Sequence, residues 1–254
     1  MAGSNPVYFV IGTPGSGRRA IVRDLIENGL ETTQRAVVLL AAGEREAPAD
    51  AALARLPNVE VRRWEWTAEG IPPTRLGPGD TVFLLADSRE NSIDQIEALK
   101  PWLERQGAEL ARIFCFVDCQ LAEQQPVLKQ WFAACIHFAD VVFLTNRTGV
   151  ANKWLSDFIK SFKDECFPCH FVQVKARGDL ANPALLLDPT PRRVSQYFDE
   201  GVAIGEIEGL ETDDEEEADD DTGLLPEETY FTRDRSGRRA RELPDIAKYL
   251  PPVA

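Results

Sequence analysis

Short apolar runs recur along the chain, and the segments between them repeat apolar residues at helical spacing. Each run has the length and composition of a β-strand buried in a sheet. The run over 59–66 alternates more than the others, so we expect it nearer a sheet edge. The predicted strands are Val7–Ile11, Ala36–Ala41, Val59–Trp66, Thr81–Ala86, Ile113–Val117, Val141–Thr145 and His170–Val174.

The intervening segments predict amphipathic helices. The first begins after a glycine-rich loop and is expected to stop at Gly29. In the third intervening segment, Ser92-x-x-Gln95 resembles a capping box, and Pro101 is expected to end or kink the helix that follows. The apolar stripes are Ala20, Ile21, Leu25 and Ile26; Ile93, Ile96 and Leu99; Leu128, Trp131, Phe132, Cys135 and Ile136; and Trp154, Leu155, Phe158, Ile159 and Phe162.

Alternation of strand and helix predicts an α/β fold with a mostly parallel sheet between two layers of helices. In such sheets ligands bind beyond the carboxyl ends of the strands. Three predicted strands are followed or ended by a polar residue at that edge, namely Asp87, Asp118 and Asn146.

The composition changes abruptly beyond residue 200. Between Glu206 and Asp221 there are 11 acidic residues and no basic one, against a net charge of −14 for the whole chain. Such a segment cannot bury enough apolar surface to order itself. We therefore expect a folded domain over 1–200, then an acidic disordered linker and an arginine-containing tail over 201–254, with five arginines in Arg233–Arg241.

The remaining composition excludes some classes of function. The domain is nearly neutral, so binding of nucleic acid through an overall positive field is not expected. No apolar run approaches the roughly 20 residues that span a bilayer, and no secretion signal is visible, so we expect a cytoplasmic protein without a membrane partner. The five cysteines are expected to be reduced thiols. Cys166-Phe-Pro-Cys169-His170 matches a haem-attachment pattern, but a redox pair, a zinc half-site or no chemical role also fits it.

The stretch between the first strand and the first helix has the spacing of a phosphate-binding P-loop, G-x-x-x-x-G-K-[ST]. Free backbone N–H groups and the positive end of the helix dipole converge there on one point. Arg18 replaces the lysine, and Arg19 replaces the hydroxyl that binds Mg²⁺. The candidate phosphate-binding residues are Gly12, Thr13, Pro14, Gly15, Ser16, Gly17, Arg18 and Arg19.

Three landmarks together resemble the CobW-like (G3E) P-loop GTPases: the loop Gly12–Gly17, the run Ile113–Asp118, and the segment Ala139–Gly149. The resemblance covers roughly residues 5–175 and implies a three-layer P-loop NTPase-like fold that binds GTP with Mg²⁺. In the family's A-D-x-x-x-L-N-K-x-D segment, N-K-x-D recognises guanine. Asn146 matches its asparagine, whereas Arg147 replaces the lysine and Gly149 the aspartate.

The chemistry implied by the resemblance is therefore incomplete. The family's C-x-C-C metal motif has no counterpart, and Asp87 remains the candidate Mg²⁺ ligand, with a helix cap or turn as its alternative role. Nucleoside monophosphate kinases, whose loops often read G-x-P-G-S-G-K, are a competing resemblance. The sequence leaves two functions open: a GTP- or ATP-binding protein that hydrolyses slowly or not at all, and a non-catalytic interaction protein whose acidic and arginine-rich tail holds a protein partner.

Overall fold

The structure is a computed structural model that describes residues 4–175, 179–199 and 228–250. Two compact units divide the chain: one holds the residues up to Val194 and those from Glu242 onward, and the other is Ser195–Arg241. The acidic run 206–221 lies outside the described residues, so its predicted disorder stays a prediction. No helix among the described residues has both the length and the apolar character needed to cross a membrane.

The first unit is built on a seven-stranded sheet in the order β3-β2-β4-β1-β5-β6-β7. Every strand pairing is parallel, which confirms the predicted sheet. β3 lies at one edge, as its alternating pattern predicted. The strands are β1 (Asn5–Gly12), β2 (Ala36–Ala41), β3 (Val59–Trp64), β4 (Thr81–Leu85), β5 (Ala108–Asp118), β6 (Val141–Thr145) and β7 (His170–Gln173).

Helices connect consecutive strands except β3 and β4, which are joined by the non-helical segment 65–80. Short 3₁₀ turns occur at Pro126–Leu128 and Ile246–Tyr249. The α-helices are α1 (Arg18–Gly29), α2 (Pro48–Leu53), α3 (Ser92–Gln106), α4 (Cys119–Gln124), α5 (Lys129–His137), α6 (Asn152–Asp164) and α7 (Pro183–Leu186).

Both faces of the central strand β1 are buried in the apolar core. Val7, Phe9, Val10 and Ile11 are all completely buried, so the strand is nearly all apolar rather than alternating. One face packs against the apolar stripe of α1 and against α7. Burial of both faces fixes the strand's position, and so fixes where its carboxyl end delivers the loop that follows.

Helix α3 differs from its sequence prediction at both ends. Its N-cap is Asn91, whose side chain accepts hydrogen bonds from the N–H groups of Ile93 and Asp94, so the predicted Ser92-x-x-Gln95 capping box is wrong. Pro101 neither ends nor breaks the helix, which runs on to Gln106. An interior proline costs about 3 kcal/mol. The side chain of Trp102, just beyond it, is completely buried and donates from Nε1 to the Pro72 carbonyl oxygen at 2.9 Å, and this burial offsets that cost.

The second unit is held by local contacts. The Ser195 hydroxyl donates to Glu228 Oε2 at 2.6 Å, and the rings of Tyr197 and Phe231 lie 4.6 Å apart, edge to face. The Arg241 guanidinium lies 4.5 Å over the Tyr230 ring. The predicted arginine-rich tail therefore includes residues that pack on aromatic side chains within this unit.

Candidate functional site

The loop Gly12–Gly17 joins β1 to α1 at the carboxyl edge of the sheet. Gly12 has a φ of 147°, and a Cβ at this position would lie 2.7 Å from Phe116 Cβ and 2.9 Å from the Phe116 carbonyl oxygen. Only glycine fits so close to the neighbouring strand. Gly17 is the N-cap of α1 with a left-handed φ of 81°. Gly15 also has a left-handed φ of 77°, so all three loop glycines suit the shape of the turn itself.

Ser16 makes two hydrogen bonds within the loop. The Ser16 N–H and the Ser16 hydroxyl both donate to the Thr13 carbonyl oxygen, at 3.3 Å and 2.7 Å. The Thr13 hydroxyl is different, because it is completely buried and has no hydrogen-bond partner among the described residues. A buried hydroxyl without a partner is costly, so Thr13 is an available donor at this site.

The N-terminus of α1 is free of the groups that usually neutralise it. The first turn contains no acidic residue, and Gly17 provides no side-chain cap. The first N–H groups of a helix have no partner within the helix, and they carry the positive end of its dipole. The geometry of an anion-binding loop is therefore retained.

Arg18 points away from the open face of the loop. Its side chain is 3% exposed, and its Nη1 donates to the Ala86 carbonyl oxygen at 2.9 Å. Its Nη2 donates to Glu44 Oε1 in a buried ion pair. The loop spacing predicts Arg18 as a phosphate-binding residue, and the carboxylate that its guanidinium contacts here is that of Glu44.

Arg19 is held in the same network. Its Nη2 donates to Glu44 Oε2 at 2.9 Å, and its Nη1 lies 2.9 Å from both carboxylate oxygens of Asp50. The Arg45 carbonyl oxygen also accepts from Nη1. Arg63 Nη2 also donates to Asp50 Oδ2 at 2.8 Å, so three arginines share the carboxylates of Glu44 and Asp50.

Glu44 is the centre of this network. Its Oε1 also accepts from the Ser88 N–H at 3.1 Å. Burial alone would raise the pKa of Glu44, but the Arg18 guanidinium and the hydrogen bonds to the carboxylate outweigh it and lower the pKa from 4.5 to about 2. Glu44 is consequently ionised at neutral pH.

Asp87 lies at the end of β4 as expected, but its contacts are those of a turn. Its Oδ1 accepts from the Arg89 N–H at 3.0 Å, and its Oδ2 lies against Gly43. No group of three or more histidine, cysteine or acidic side chains that could hold a metal is found in the described part of the chain. With Arg19 in place of the hydroxyl ligand, the residues present do not fit a Mg²⁺ site of the P-loop kind.

Asn146 comes close to the loop, as its position after β6 predicted. Its side-chain N–H donates to the Gly15 carbonyl oxygen at 3.2 Å and to Asp118 Oδ2 at 2.6 Å. Asp118 also caps α4 by accepting from the Leu121 N–H. Asn146 therefore joins the P-loop to the ends of β5 and β6.

The two residues that depart from N-K-x-D have structural roles of their own. Arg147 Nε donates to the Val174 carbonyl oxygen at 3.1 Å, and its Nη1 donates to Gln173 Oε1. Gly149 has a φ of 84°, and a Cβ there would meet open space. Its backbone favours glycine, and no carboxylate is available at this position to recognise a guanine ring.

Two clefts flank the loop and share Gly17 and Ala20. The first has a volume of about 520 Å³, and its lining includes Ser16, Asn146, Arg147 and Lys175. None of the described residues that line it is acidic. The second has a volume of about 420 Å³ and is lined by the Arg18, Arg19 and Glu44 network together with Thr13. Both volumes fall within the range of about 300–1,000 Å³ typical of small-molecule sites.

The C-x-x-C-H segment does not assemble a site in the described residues. Cys166 is exposed, whereas Cys169 is buried and burial raises its pKa to about 12. Burial also lowers the pKa of His170, which begins β7. These positions have the environment of structural residues.

Sequence reasoning missed Glu44 and Asp50, the two carboxylates of the network. Glu44 lies in the turn after β2 and Asp50 lies in α2, 26 residues from Arg18 and 31 residues from Arg19 respectively. Their only signal in the sequence is their position near the carboxyl end of a predicted strand.

No protein-family model matches the chain, and no curated protein matches it. Among solved structures, the chain is similar to a Zn(II)-bound triple mutant of the YjiA GTPase, with 13% identity and a TM-score of 0.42. It is also similar to the Zn(II)-bound YjiA GTPase from E. coli, with 14% identity and a TM-score of 0.40. Each alignment covers 75% of this chain and 67% of the other. Both structures are named GTPases.

Proposed function

We propose that this protein is a CobW-like P-loop protein of the cytoplasm that binds a phosphate-bearing nucleotide without catalysing phosphoryl transfer. The observation that carries the proposal is the pairing of Arg18 and Arg19 with Glu44 and Asp50 beside a loop whose N–H groups remain available. The loop keeps the backbone N–H groups that hold an anion. It lacks the lysine and the Mg²⁺ ligand on which phosphoryl transfer depends.

The larger cleft is the place for the ligand. It lies between the P-loop and the segment after β6, and it carries the positive side chains of Arg147 and Lys175. An anion there gains from both cations and from the N-terminus of α1, each interaction contributing about 0.3–1 kcal/mol at an exposed position.

The absence of catalysis follows from the paired arginines. Phosphoryl transfer depends on positioned positive charge and a bound metal. Arg18 donates to Ala86 and Glu44 instead, and the nearby Lys153 is 86% exposed on α6 and pairs with Asp157. Neither side chain is placed as the missing lysine would be.

Titration of the purified protein with labelled GTP, ATP, GDP and ADP, with and without Mg²⁺, tests the proposal. We expect binding that is independent of Mg²⁺, with little difference between guanine and adenine because Gly149 offers no carboxylate. Lys175→Ala should weaken binding about threefold or more, whereas Lys153→Ala, outside the cleft, should not. Absence of binding at millimolar nucleotide would reject the proposal.

A second function, a non-catalytic interaction protein, is favoured by the same ion pairs, since they engage Arg18 and Arg19 without any ligand. Its partner would be a protein, held through the acidic run 206–221 and the cluster Arg233–Arg241. A chain from which 206–221 is deleted would then lose the partner, while the full chain would retain it and bind no nucleotide.

A further inference from the structure

The Glu44 carboxylate has the surroundings of a bound phosphate oxygen pair. It accepts from the guanidinium groups of Arg18 and Arg19 and from the backbone N–H of Ser88. Two arginines and a backbone N–H are the donors that proteins use to bind phosphate. Only 7% of this side chain is exposed.

The position of this carboxylate relative to the loop is informative. Glu44 lines the smaller cleft together with Thr13, Gly15 and Gly17. Its carboxylate therefore lies beside the loop, where it holds the guanidinium groups of Arg18 and Arg19.

We propose that Glu44 takes the place of a ligand's terminal phosphate, so that the loop accepts nucleoside diphosphates and excludes triphosphates. This inference rests on the proposed function and names the substrate class of the same site. A third phosphate would bring further negative charge against a buried, ionised carboxylate whose partners are already engaged, and like charges brought together in this way oppose binding.

The two clefts share Gly17 and Ala20, so a ligand held in the larger cleft can extend its inner phosphates along the loop into the smaller cleft. The Thr13 hydroxyl lines it, is completely buried and has no hydrogen-bond partner among the described residues. A phosphate oxygen at the loop would supply the missing acceptor. Thr13 thus indicates a ligand at the loop, while Glu44 sets how many phosphates that ligand carries.

The depressed pKa of Glu44 supports the same conclusion. Since that pKa is about 2, the carboxylate keeps its negative charge throughout the physiological range. Glu44 should accordingly add no pH dependence of its own to the exclusion of triphosphates between pH 6 and pH 8.

The test compares diphosphates with triphosphates on the full chain, without Mg²⁺, using fluorescent analogues of GDP, GTP, ADP and ATP. We expect the wild-type protein to bind each diphosphate at least about tenfold more tightly than its triphosphate. Glu44→Gln removes the charge at nearly constant shape and should reduce this ratio at least about fivefold. The matched control is Glu46→Gln, because Glu46 lines the same cleft but its side chain is 92% exposed. It should leave the ratio unchanged.

The possible failures are distinguishable. If neither protein binds any nucleotide, the proposed function is rejected and this inference with it. If the wild type binds diphosphates and triphosphates equally, or if Glu44→Gln leaves the ratio unchanged, Glu44 does not replace a phosphate, although nucleotide binding stands. Circular dichroism checks the folding of each variant. If Glu44→Gln does not fold, the wild-type protein alone decides. Its affinity is then measured for nucleoside mono-, di- and triphosphates, and the affinity must fall at the third phosphate.

Discussion

Replacing Arg18 by alanine should destabilise the fold, because it breaks a buried ion pair at the start of α1. The Arg18 side chain is 3% exposed and that of its partner Glu44 is 7% exposed. Removing one member of a buried pair costs about 3–5 kcal/mol when the other is left without a partner. Glu44 retains Arg19 and the Ser88 N–H, so the lower end of that range applies.

The pKa of Glu44 gives an independent magnitude. Its fall from 4.5 to about 2 corresponds to roughly 3 kcal/mol of stability at neutral pH. We therefore expect Arg18→Ala to lower the free energy of unfolding by about 3 kcal/mol, and the melting temperature by about 6–12 °C.

Urea denaturation followed by circular dichroism measures this loss, and Arg23→Ala is the matched control. Arg23 lies on the same helix and pairs with Glu27 four residues on, but its side chain is 45% exposed. Its replacement should cost less than about 0.5 kcal/mol. The double variant Arg18→Ala/Glu44→Ala should be less destabilised than the sum of the two single variants. A loss in Arg18→Ala no larger than that in Arg23→Ala would refute the reasoning.

The pH dependence provides a second check. The folded-state pKa of Glu44 lies below its unfolded value, so the stability that it contributes is present above about pH 4.5 and is lost as the pH falls toward 2. Arg18→Ala removes much of this contribution. The difference in stability between wild type and variant should therefore shrink between pH 5 and pH 2, and a constant difference would contradict the assignment.

Three further predictions concern the loop and the base. Without the P-loop lysine and the Mg²⁺ ligand, phosphate release from GTP or ATP should stay well below about 1 s⁻¹, and a rate near that of ordinary enzymes would contradict it. Gly12→Ala should destabilise by at least about 3 kcal/mol in urea denaturation, because its Cβ would meet backbone at 2.9 Å; Gly15→Ala, with open space at a φ of 77°, should cost only about 1–2 kcal/mol. Gly149→Asp should cost about 1–2 kcal/mol for its left-handed backbone and raise the preference for GDP over ADP about tenfold, measured by titration.

Much of the fold could be predicted, because the buried strands of the sheet are runs of apolar residues that are easily recognised in the sequence. Every predicted apolar run is a strand, and the run Val7–Ile11 is the centre of the sheet. The errors fall where local signals compete with packing. Ser92 looked like a cap, but Asn91 accepts the hydrogen bonds, and the buried Trp102 carries α3 past Pro101.

Only those parts of the site that depend on residues close together in the sequence could be predicted. The spacing from Gly12 to Gly17 predicted the loop, and strand ends placed Asn146 near it. The ion pairs were not predictable, since Glu44 lies in a short polar segment that reads as solvated surface. Only the strand order, with β2 beside β4 and β4 beside β1, brings that segment to Arg18.

The central place of β1 has a consequence for how the protein is made. Both neighbours of this N-terminal strand come much later in the chain, the second ending at Asp118. At a synthesis rate of about 5–20 residues per second, β1 waits roughly 5–20 s for its last partner. During that time an apolar segment with unpaired edges is open to association with other chains, as long-range parallel pairing generally entails. Chaperone binding to nascent chains should therefore peak before residue 118 emerges and fall once it has.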